Sequence, residues 1–265
     1  MKWFSRAIRQ ISSLAERNPF GNDLSQPLFG VLLPKAPELR SLLNEFVGIV
    51  NNTGGSYHYL DFGDGIVMNG EYDMTRYLDN YGIPPDLTGK SVLDIGTASG
   101  FFALECARRG AQVTAIDVWD AGYYNKIIDI LGVNIRYIQK SIYELDGTFG
   151  KFDLVICGSL LLHLRDVFGA IERIQSVCKR KVIVATASVE DHQHDERACC
   201  EFVGTKNISP AGEYWVYWHL NSTALKKMLL AAGFSEAHEV GRFVLKSEPG
   251  RSGFAVPHIL VKAII

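Results

Sequence analysis

The sequence predicts an α/β protein with a doubly wound, mostly parallel sheet of seven strands. From Lys90 onward, short continuous apolar runs alternate with segments of helical periodicity, which is typical of parallel strands covered by helices on both faces. Two further strand-like runs, at 236–245 and 254–264, come near the end of the chain. The 265 residues, 47% of them hydrophobic, suffice for one large domain with an appendage.

The elements of this domain follow one another in a regular order. Strands are predicted at 91–95, 112–117, 135–139, 152–157 and 181–187, and helices at 100–109, 123–131 and 167–178. A last helix is expected at 222–232, with Ser222 as its N-cap and Gly233 just beyond its end. We therefore place the main domain at 85–265, with an aromatic insertion at 190–220.

The first 84 residues are predicted to form an N-terminal extension of helices and loops. Apolar side chains share one helical face of residues 3–14 with arginines opposite, which indicates a helix packed on its own domain. A helix lying on a membrane surface is the alternative. A linker is expected at 18–36, a helix at 37–50, and loops at 51–70 around an apolar and aromatic piece at 56–62.

Charge and cysteine content limit the partners and the compartment. The chain carries 27 basic and 29 acidic side chains, and no block is basic enough for a nucleic-acid footprint, so a nucleic-acid partner is not expected. Its five cysteines lack framework spacing, which indicates a reducing compartment. Without a signal-peptide pattern or an apolar run of about 20 residues, we expect a cytoplasmic protein that does not enter a membrane. The oligomeric state is not indicated.

The sharpest motif is VLDIGTASG at 92–100, where the first strand of the main domain passes into a helix. Glycines there let the backbone turn tightly and approach a ligand at the carboxyl end of the sheet. The glycines are four residues apart, unlike the GxGxxG fingerprint of dehydrogenases. Asp94, two residues before the first glycine, suits a cationic ligand. Asp117 ends the second strand, where it can accept hydrogen bonds from two ribose hydroxyls.

These residues resemble the class I S-adenosylmethionine (SAM)-dependent methyltransferases, which have a Rossmann-like fold. The resemblance implies SAM as the cofactor, with the N-terminal extension covering its site. It places Asp94 near the methionine cation, the backbone of Gly96, Thr97 and Gly100 beside the cofactor, and Asp117 on the ribose. The implied contacts further along are Val118 and Trp119 beside the adenine, Ser141 and Ile142 at its edge, and Gly158 over the methionine part.

Parts of the chain resemble a narrower group, the tRNA wobble-uridine (mo5U34) methyltransferase-like proteins. The resemblance is carried by residues 57–65, 69–73, 84–90 and 219–234. Characterised members of that group transfer a carboxymethyl group from carboxy-SAM. They bind its extra carboxylate with a tyrosine before the histidine that follows strand four, a basic residue on the last strand, and a lysine before the first strand.

This chain departs from that carboxylate-binding pattern. Leu162 precedes His163, His258 is the counterpart on the last strand, and no lysine stands between Gly54 and Pro85. A buried carboxylate without cationic partners is unfavourable, so we expect plain SAM.

Methyl transfer needs a positioned nucleophile and, for many acceptors, removal of its proton. The candidate bases are His163, which follows the fourth strand, His58, in a loop that the resemblance places over the cofactor, and His219. His163 alternatively caps a helix or bonds to the backbone. Candidate substrate contacts are the aromatic residues Tyr57, Tyr72, Tyr214, Trp215 and Trp218, with ordinary packing as the alternative.

The aromatic insertion is predicted to act as a substrate lid because residues 197–218 are long for a connection. Before it, His192 and His194 stand among acidic residues and could ligate a metal if they lay on one strand face. Several sugar O-methyltransferases use a divalent ion at this side of the fold. The polarity of the segment favours a solvated loop, so no metal is predicted.

The sequence thus predicts a SAM-dependent methyltransferase that acts on an oxygen or nitrogen of a small-molecule acceptor. Two alternatives stay open: (carboxy)methyl transfer to a tRNA wobble uridine, and a non-catalytic protein of this fold that binds SAM. A dehydrogenase is a more distant alternative.

Overall fold

The computed structural model describes residues 27–119, 122–189, 196–209 and 212–265. The N-terminal amphipathic helix predicted from the sequence, and His192 and His194 with their acidic neighbours, lie outside the described residues. Within the described part of the chain, no helix is long and apolar enough to cross a membrane.

The described part of the extension, from residue 27, contains one long helix and several very short elements. Helix α1 (Pro37–Asn52) begins with Pro37 at its first position, and its buried face contains Leu43, Val47 and Val50. The short elements are β1 (Ser56–His58), β2 (Leu60–Asp61), β3 (Val67–Met68), β4 (Gly70–Tyr72) and helix α2 (Leu78–Tyr81). Strands β1 and β4 pair in parallel, and β2 and β3 pair antiparallel.

The main domain is built on one seven-stranded sheet, as the sequence predicts. Its strands are β5 (Ser91–Ile95), β6 (Gln112–Asp117), β7 (Ile135–Gln139), β8 (Phe152–Gly158), β9 (Cys178–Ala187), β12 (Glu236–Lys246) and β13 (Ala255–Ile264), in the order β12-β13-β9-β8-β5-β6-β7. The first five run parallel, and β13 runs antiparallel to β9 and β12. The predicted fold class is therefore confirmed.

Four helices accompany the sheet in the part of the main domain that the structure describes. They are α3 (Phe101–Arg108), α4 (Gly122–Leu131), α5 (Val167–Val177) and α6 (Ser222–Ala231). The fully buried strand residues form two apolar clusters, as expected for a sheet covered on both faces. The predicted N-cap of α6 is wrong by one residue: the Asn221 side chain accepts a hydrogen bond from the Ala224 N–H at 2.8 Å, and Ser222 is the first helical residue.

The aromatic insertion forms an antiparallel hairpin of strands β10 (Cys200–Ser209) and β11 (Gly212–Leu220). A single parallel bridge between Ser188 and Leu220 joins the end of this hairpin to the segment after β9. The hairpin therefore stands beside the carboxyl end of the parallel strands.

A buried charge network fixes the extension to the main domain. Glu105 is fully buried and binds both Arg108 and Arg109, at 2.6 and 2.5 Å. The Arg109 guanidinium also donates to the carbonyl oxygens of Ile83 and Pro84, at the end of the extension. One guanidinium thus joins α3 to the last residues before the first strand of the sheet.

Candidate functional site

A tight turn leads from β5 into α3 at the carboxyl end of the sheet. Gly96, Ala98 and Gly100 all have positive φ, at +73°, +46° and +85°. A β-carbon on Gly100 would lie 2.0 Å from the ring of Tyr124, so only glycine fits at this position. The N–H of Gly96 donates to the Ile116 carbonyl at 2.9 Å, which holds the turn against the end of β6.

Asp94 lies beneath this turn and is almost completely buried. The Thr97 hydroxyl donates to its Oδ2 at 2.7 Å. Burial raises the pKa of Asp94 to about 7, and the nearby charge of Asp117 acts in the same direction. The carboxyl group is therefore only partly ionised at neutral pH, and an approaching cation would favour its charged form.

Asp117 connects the end of β6 to the glycine turn. Its Oδ2 accepts a hydrogen bond from the Ala98 N–H at 2.9 Å, and its Oδ1 accepts one from the Trp119 N–H at 3.3 Å. A carboxylate has about four acceptor positions, so two such bonds leave it able to bind ligand hydroxyls. Val118 and Trp119 are 56% and 53% exposed beside it. A carboxylate next to exposed apolar side chains fits a ribose with an attached flat base.

Ser141 and Ile142, the residues predicted at the adenine edge, follow β7. Ser141 caps a short 3-10 helix: its hydroxyl accepts from the Tyr143 N–H, and its own N–H donates to the Glu144 carboxylate at 2.8 Å. Ile142 is buried, with 4% of its surface exposed. The Ser141 hydroxyl thus accepts a bond within the cap, and its hydrogen takes no part in that bond.

Gly158 is the residue predicted to lie over the methionine part of the cofactor. Packing around it leaves no space for a side chain. A β-carbon there would lie 2.9 Å from the ring of Tyr81, which comes from the extension. Tyr81 is fully buried, and within the described part of the chain its hydroxyl has no hydrogen-bond partner. A bound ligand could form a hydrogen bond with this buried hydroxyl, which lies beside Gly158 at the carboxyl end of β8.

The extension contacts the glycine turn through Tyr57 and His58. The N–H groups of both residues donate to Ser99 Oγ, at 2.9 and 3.3 Å. Burial lowers the pKa of His58 to about 3, so its imidazole is neutral and weakly basic. The Phe101 N–H, at the start of α3, donates a long bond of 3.5 Å to its Nδ1.

His163 joins the end of β8 to the hairpin. It ends a short 3-10 helix, Leu161–His163, and its Nδ1 lies 2.8 Å from the carbonyl oxygen of Trp215. Because a carbonyl oxygen only accepts, Nδ1 carries the hydrogen and Nε2 keeps its lone pair. Burial lowers the pKa of His163, so the imidazole is neutral at neutral pH. The backbone bond that the sequence left as an alternative is present.

Three of the predicted substrate-contacting tyrosines, Tyr57, Tyr72 and Tyr214, lie within electrostatic range of one another. Tyr57 packs on Tyr72 with ring centroids 5.1 Å apart, and Tyr214 of the hairpin packs edge-on against His163 at 5.4 Å. Burial and the charge of Glu71 raise the pKa of Tyr72. Burial and the charge of Glu71 also raise the pKa of Tyr214. Both phenols therefore keep their hydrogens at neutral pH. We call Tyr57, Tyr72, Tyr214 and His163 the aromatic chamber.

The two predicted tryptophans have different surroundings. Trp215 stacks on Tyr217 at 5.8 Å and contributes its carbonyl oxygen to His163. The Trp218 indole donates to the Arg165 carbonyl at 3.2 Å and lines a separate cavity of about 230 Å³ with residues of α5. His219, the third candidate base, lies 3.7 Å from Glu201 across the hairpin. Trp218 and His219 thus contact Arg165 and Glu201, which lie outside the aromatic chamber.

Sequence reasoning missed some residues of this region. Tyr81 belongs to no motif, because a lone tyrosine on a one-turn helix is common. Ser99 lies within the glycine motif, but the sequence did not single it out. The pairing of Ser159 with His258, whose Oγ and Nε2 are 2.8 Å apart, joins residues 99 positions apart in the chain. The position of His258 on the last strand was a signal for a role at this end of the sheet, but nothing in the sequence indicated its partner.

This sheet order, with a glycine turn after its first strand and an acidic residue at the end of the second, defines the class I methyltransferase fold. The chain belongs to the methyltransferase-domain family, whose model matches residues 69–239.

Solved structures share the fold. The N-terminal domain of EvdMO1, solved with SAH bound, matches 83% of this chain and 95% of its own length, with a TM-score of 0.59 and 18% identity. The YcgJ protein of Bacillus subtilis matches 71% of this chain and 96% of its own, with a TM-score of 0.52 and 17% identity.

Curated relatives match parts of the chain. The ubiquinone biosynthesis O-methyltransferase of Chromobacterium violaceum is 30% identical over 177 residues, which cover 62% of each chain. The enzyme of the same name from Erwinia tasmaniensis is 37% identical over 83 residues, which cover 30% of this chain and 34% of that enzyme. The matched segments therefore span less than two thirds of these relatives.

Proposed function

We propose that this protein is a SAM-dependent methyltransferase that methylates an oxygen or nitrogen of a small-molecule acceptor. The observation that carries the proposal is the bond between Asp117 and the Ala98 N–H, beside the exposed Val118 and Trp119. It sets a carboxylate and apolar surfaces at the carboxyl end of the parallel strands, where this fold binds ligands.

The cofactor site follows from the donor and acceptor groups described above. Asp117 holds the ribose hydroxyls, Val118 and Trp119 flank the adenine, and the Ser141 hydroxyl lies at its edge. Asp94 and the Tyr81 hydroxyl lie toward the methionine part, where a cation stabilises the ionised form of Asp94. The extension, through Tyr57 and His58, covers the glycine turn of this site.

When bound, SAM supplies a sulfonium methyl group to a nucleophile placed in line with the breaking bond. The protein holds the acceptor in the aromatic chamber, and His163 accepts the proton of its hydroxyl or amine at Nε2. The bond from Nδ1 to the Trp215 carbonyl fixes the tautomer that this step needs. With a pKa near 3, His58 is a weaker base, and we assign it to holding the extension against α3.

The chamber favours neutral or cationic acceptors. Tyr72 and Tyr214 remain protonated, His163 is neutral, and Glu71 contributes a negative charge that acts on both tyrosines. An anionic acceptor would lose its hydration without gaining a cationic partner among these groups. The ubiquinone O-methyltransferase relatives support a hydroxyl acceptor, and we propose a small hydroxylated ring.

The narrower resemblance to tRNA-modifying proteins is less well supported. His258 stands where that group has a basic residue for the carboxylate of carboxy-SAM. Here its two ring nitrogens bond Ser159 and the Val256 carbonyl, and burial lowers its pKa to about 4. A neutral, fully engaged imidazole is a poor partner for a carboxylate, which favours plain SAM.

Calorimetric titration of the purified chain with SAM, S-adenosylhomocysteine (SAH), carboxy-SAM and NADH in parallel tests the cofactor. We expect SAM and SAH to bind more tightly than the other two. Methyl transfer from labelled SAM is then measured with catechol, hydroquinone, aniline, methyl glucoside and a tRNA transcript. Tighter binding of carboxy-SAM with transfer to tRNA would establish the wobble-uridine alternative. Binding of SAM without turnover on any of these acceptors would indicate a non-catalytic protein.

A further inference from the structure

Ser159 and His258 form a partly buried polar pair at the carboxyl end of the parallel strands. Ser159 follows directly after β8, and His258 is on β13, two strands away in the sheet. Ser159 Oγ lies 2.8 Å from His258 Nε2, and His258 Nδ1 lies 2.9 Å from the carbonyl oxygen of Val256. The imidazole is 3% exposed and stacks on the Phe243 ring at 5.2 Å.

The partners of the imidazole determine where each hydrogen lies. Because the Val256 carbonyl only accepts, Nδ1 carries the ring hydrogen and Nε2 has the lone pair. Burial lowers the pKa of His258 to about 4, so the ring is neutral at neutral pH. The Ser159 hydroxyl therefore donates its hydrogen to Nε2. Toward any other group, Ser159 Oγ can only accept a hydrogen bond.

The neighbours of Ser159 place it beside the proposed cofactor turn. Gly158, on one side, packs against Tyr81, and Leu160, on the other, packs against Gly96, where a β-carbon would lie 3.2 Å from its side chain. Ser159 itself is half-buried, whereas His258 is buried. Of the two residues, Ser159 is therefore the one that has exposed surface to offer to a ligand.

We propose that the Ser159–His258 pair is a positioning device, in which His258 fixes Ser159 Oγ as a hydrogen-bond acceptor for a donating group of the ligand. A hydroxyl, an amine or an ammonium group satisfies this oxygen, whereas a carbonyl or carboxylate oxygen is repelled by its lone pairs. This inference rests on the proposed function. The donating group is either the reacting group of the acceptor or the ammonium group of the cofactor's methionine part.

The test uses the full chain and compares Ser159→Ala, Ser159→Thr, His258→Phe and the double variant Ser159→Ala/His258→Phe. Phenylalanine keeps the stack on Phe243 but removes both hydrogen bonds of the imidazole. Ser176→Ala, on the surface of α5, is the matched control. Calorimetry compares the affinities for SAH and for its desamino analogue, and the difference reports the contribution of the ammonium group. Steady-state rates, measured with a compound of the panel that the wild type methylates, report the interaction with the acceptor.

Loss of the Ser159 hydroxyl is expected to weaken one of these two interactions about 10-fold. If the ammonium group is the donor, Ser159→Ala weakens the binding of SAH but not the binding of its desamino analogue. If the acceptor is the donor, SAH binding is unchanged and kcat/KM for the acceptor falls. In both cases Ser159→Thr retains the wild-type behaviour, and the double variant loses no more than Ser159→Ala, because His258 acts through Ser159.

Two results would overturn this inference and leave the proposed function standing. One is SAH affinity and acceptor kinetics in Ser159→Ala equal to those of the wild type. The other is additive losses in the double variant, which would make His258 a purely structural residue. If the wild type itself neither binds SAH nor methylates any compound of the panel, the proposed function fails and the inference fails with it.

Discussion

The Asp117 carboxylate accepts a hydrogen bond from the backbone N–H of Ala98 at 2.9 Å and thereby ties the end of β6 to the turn that follows β5. Ala98 is one of two non-glycine residues with positive φ among the described residues. A carboxylate that compensates a strained backbone in this way is already oriented before any ligand arrives.

Replacing Asp117 with alanine should weaken SAH binding by about 10- to 100-fold, because hydrogen bonds to a charged group contribute about 1.5–3 kcal/mol. Calorimetry measures the affinity, and thermal unfolding shows whether the turn survives. Asp129→Asn, on an exposed position of α4, is the matched control and should bind SAH as the wild type does. Equal affinity in Asp117→Ala would remove Asp117 from the cofactor site.

Asp94 predicts a pH dependence of SAM affinity. Its folded-state pKa is about 7, above its ordinary value, so it ionises as the pH rises through 7. Since cationic SAM prefers the carboxylate, affinity should rise by up to about 10-fold between pH 6 and pH 8. Asp94→Asn should flatten this dependence in the same calorimetric series.

The same group affects stability in the opposite direction. Between its ordinary pKa and about 7 the folded chain holds a proton that the unfolded chain has released, so this group's contribution to stability falls as the pH rises. Denaturant unfolding should show that the free energy of unfolding falls less with rising pH in Asp94→Asn than in the wild type. A wild-type SAM affinity that is constant from pH 6 to pH 8 would contradict the placement of Asp94 near the cation.

His163→Ala should lower kcat by about 100-fold or more while leaving SAM affinity unchanged, because it removes a proton acceptor and no cofactor contact. Added imidazole should restore part of the rate. His238→Ala, at an exposed position of β12, serves as the control. A variant with normal kcat and an unchanged pH profile would show that His163 only connects β8 to the hairpin.

Tyr214→Ala should raise the acceptor KM about 5- to 20-fold, with SAM affinity unchanged, because the variant removes one aromatic wall of the chamber. The comparison is with Ile208→Thr, at an 80% exposed position of the same hairpin. Steady-state kinetics with an acceptor from the panel distinguish the two. A rise in KM in both variants alike would point to a general loosening of the hairpin.

Gly100→Ala and Gly132→Ala separate backbone strain from a steric clash. Both residues have positive φ, at +85° and +63°, but a β-carbon on Gly132 meets no atom within 4 Å, whereas on Gly100 it meets the Tyr124 ring at 2.0 Å. Gly132→Ala should lower the free energy of unfolding by about 1 kcal/mol, and Gly100→Ala by about 3 kcal/mol or more, since the buried ring must move. Urea denaturation measures both, and equal losses would show that the ring moves easily.

The sequence was most informative where a local pattern and the global fold agree. All seven strands of the main sheet were predicted, because buried parallel strands such as Ser91–Ile95 read as continuous apolar runs. The helix ends were correct to within one or two residues. The N-cap of α6 was placed one residue late because Asn221 and Ser222 are both good capping residues, and only the hydrogen bond to Ala224 distinguishes them.

Pairings between distant segments could not be predicted. Strands β1 and β4 contain three residues each and pair across 14 positions, so no periodicity marks them. The insertion was expected as a lid, but its strands mix polar and aromatic residues too irregularly to show a hairpin. For the same reason the sequence did not separate Tyr214, in the aromatic chamber, from Trp218, which turns toward α5. The assignments of individual cofactor-binding and catalytic residues stay predictions.

The hairpin is a separate two-stranded sheet, and among the described residues one isolated bridge, Ser188 to Leu220, pairs it with the segment after β9. Its exchange would therefore leave the hydrogen-bond ladder of the seven strands intact. Under the proposed function, residues 200–219 could be exchanged as a unit, with the buried Leu220 kept as the bridge partner of Ser188. A graft from a relative would then transfer acceptor preference and leave the nucleoside-binding half of the molecule unchanged. The acceptor range of such a fold can change without substitutions in its fully buried core.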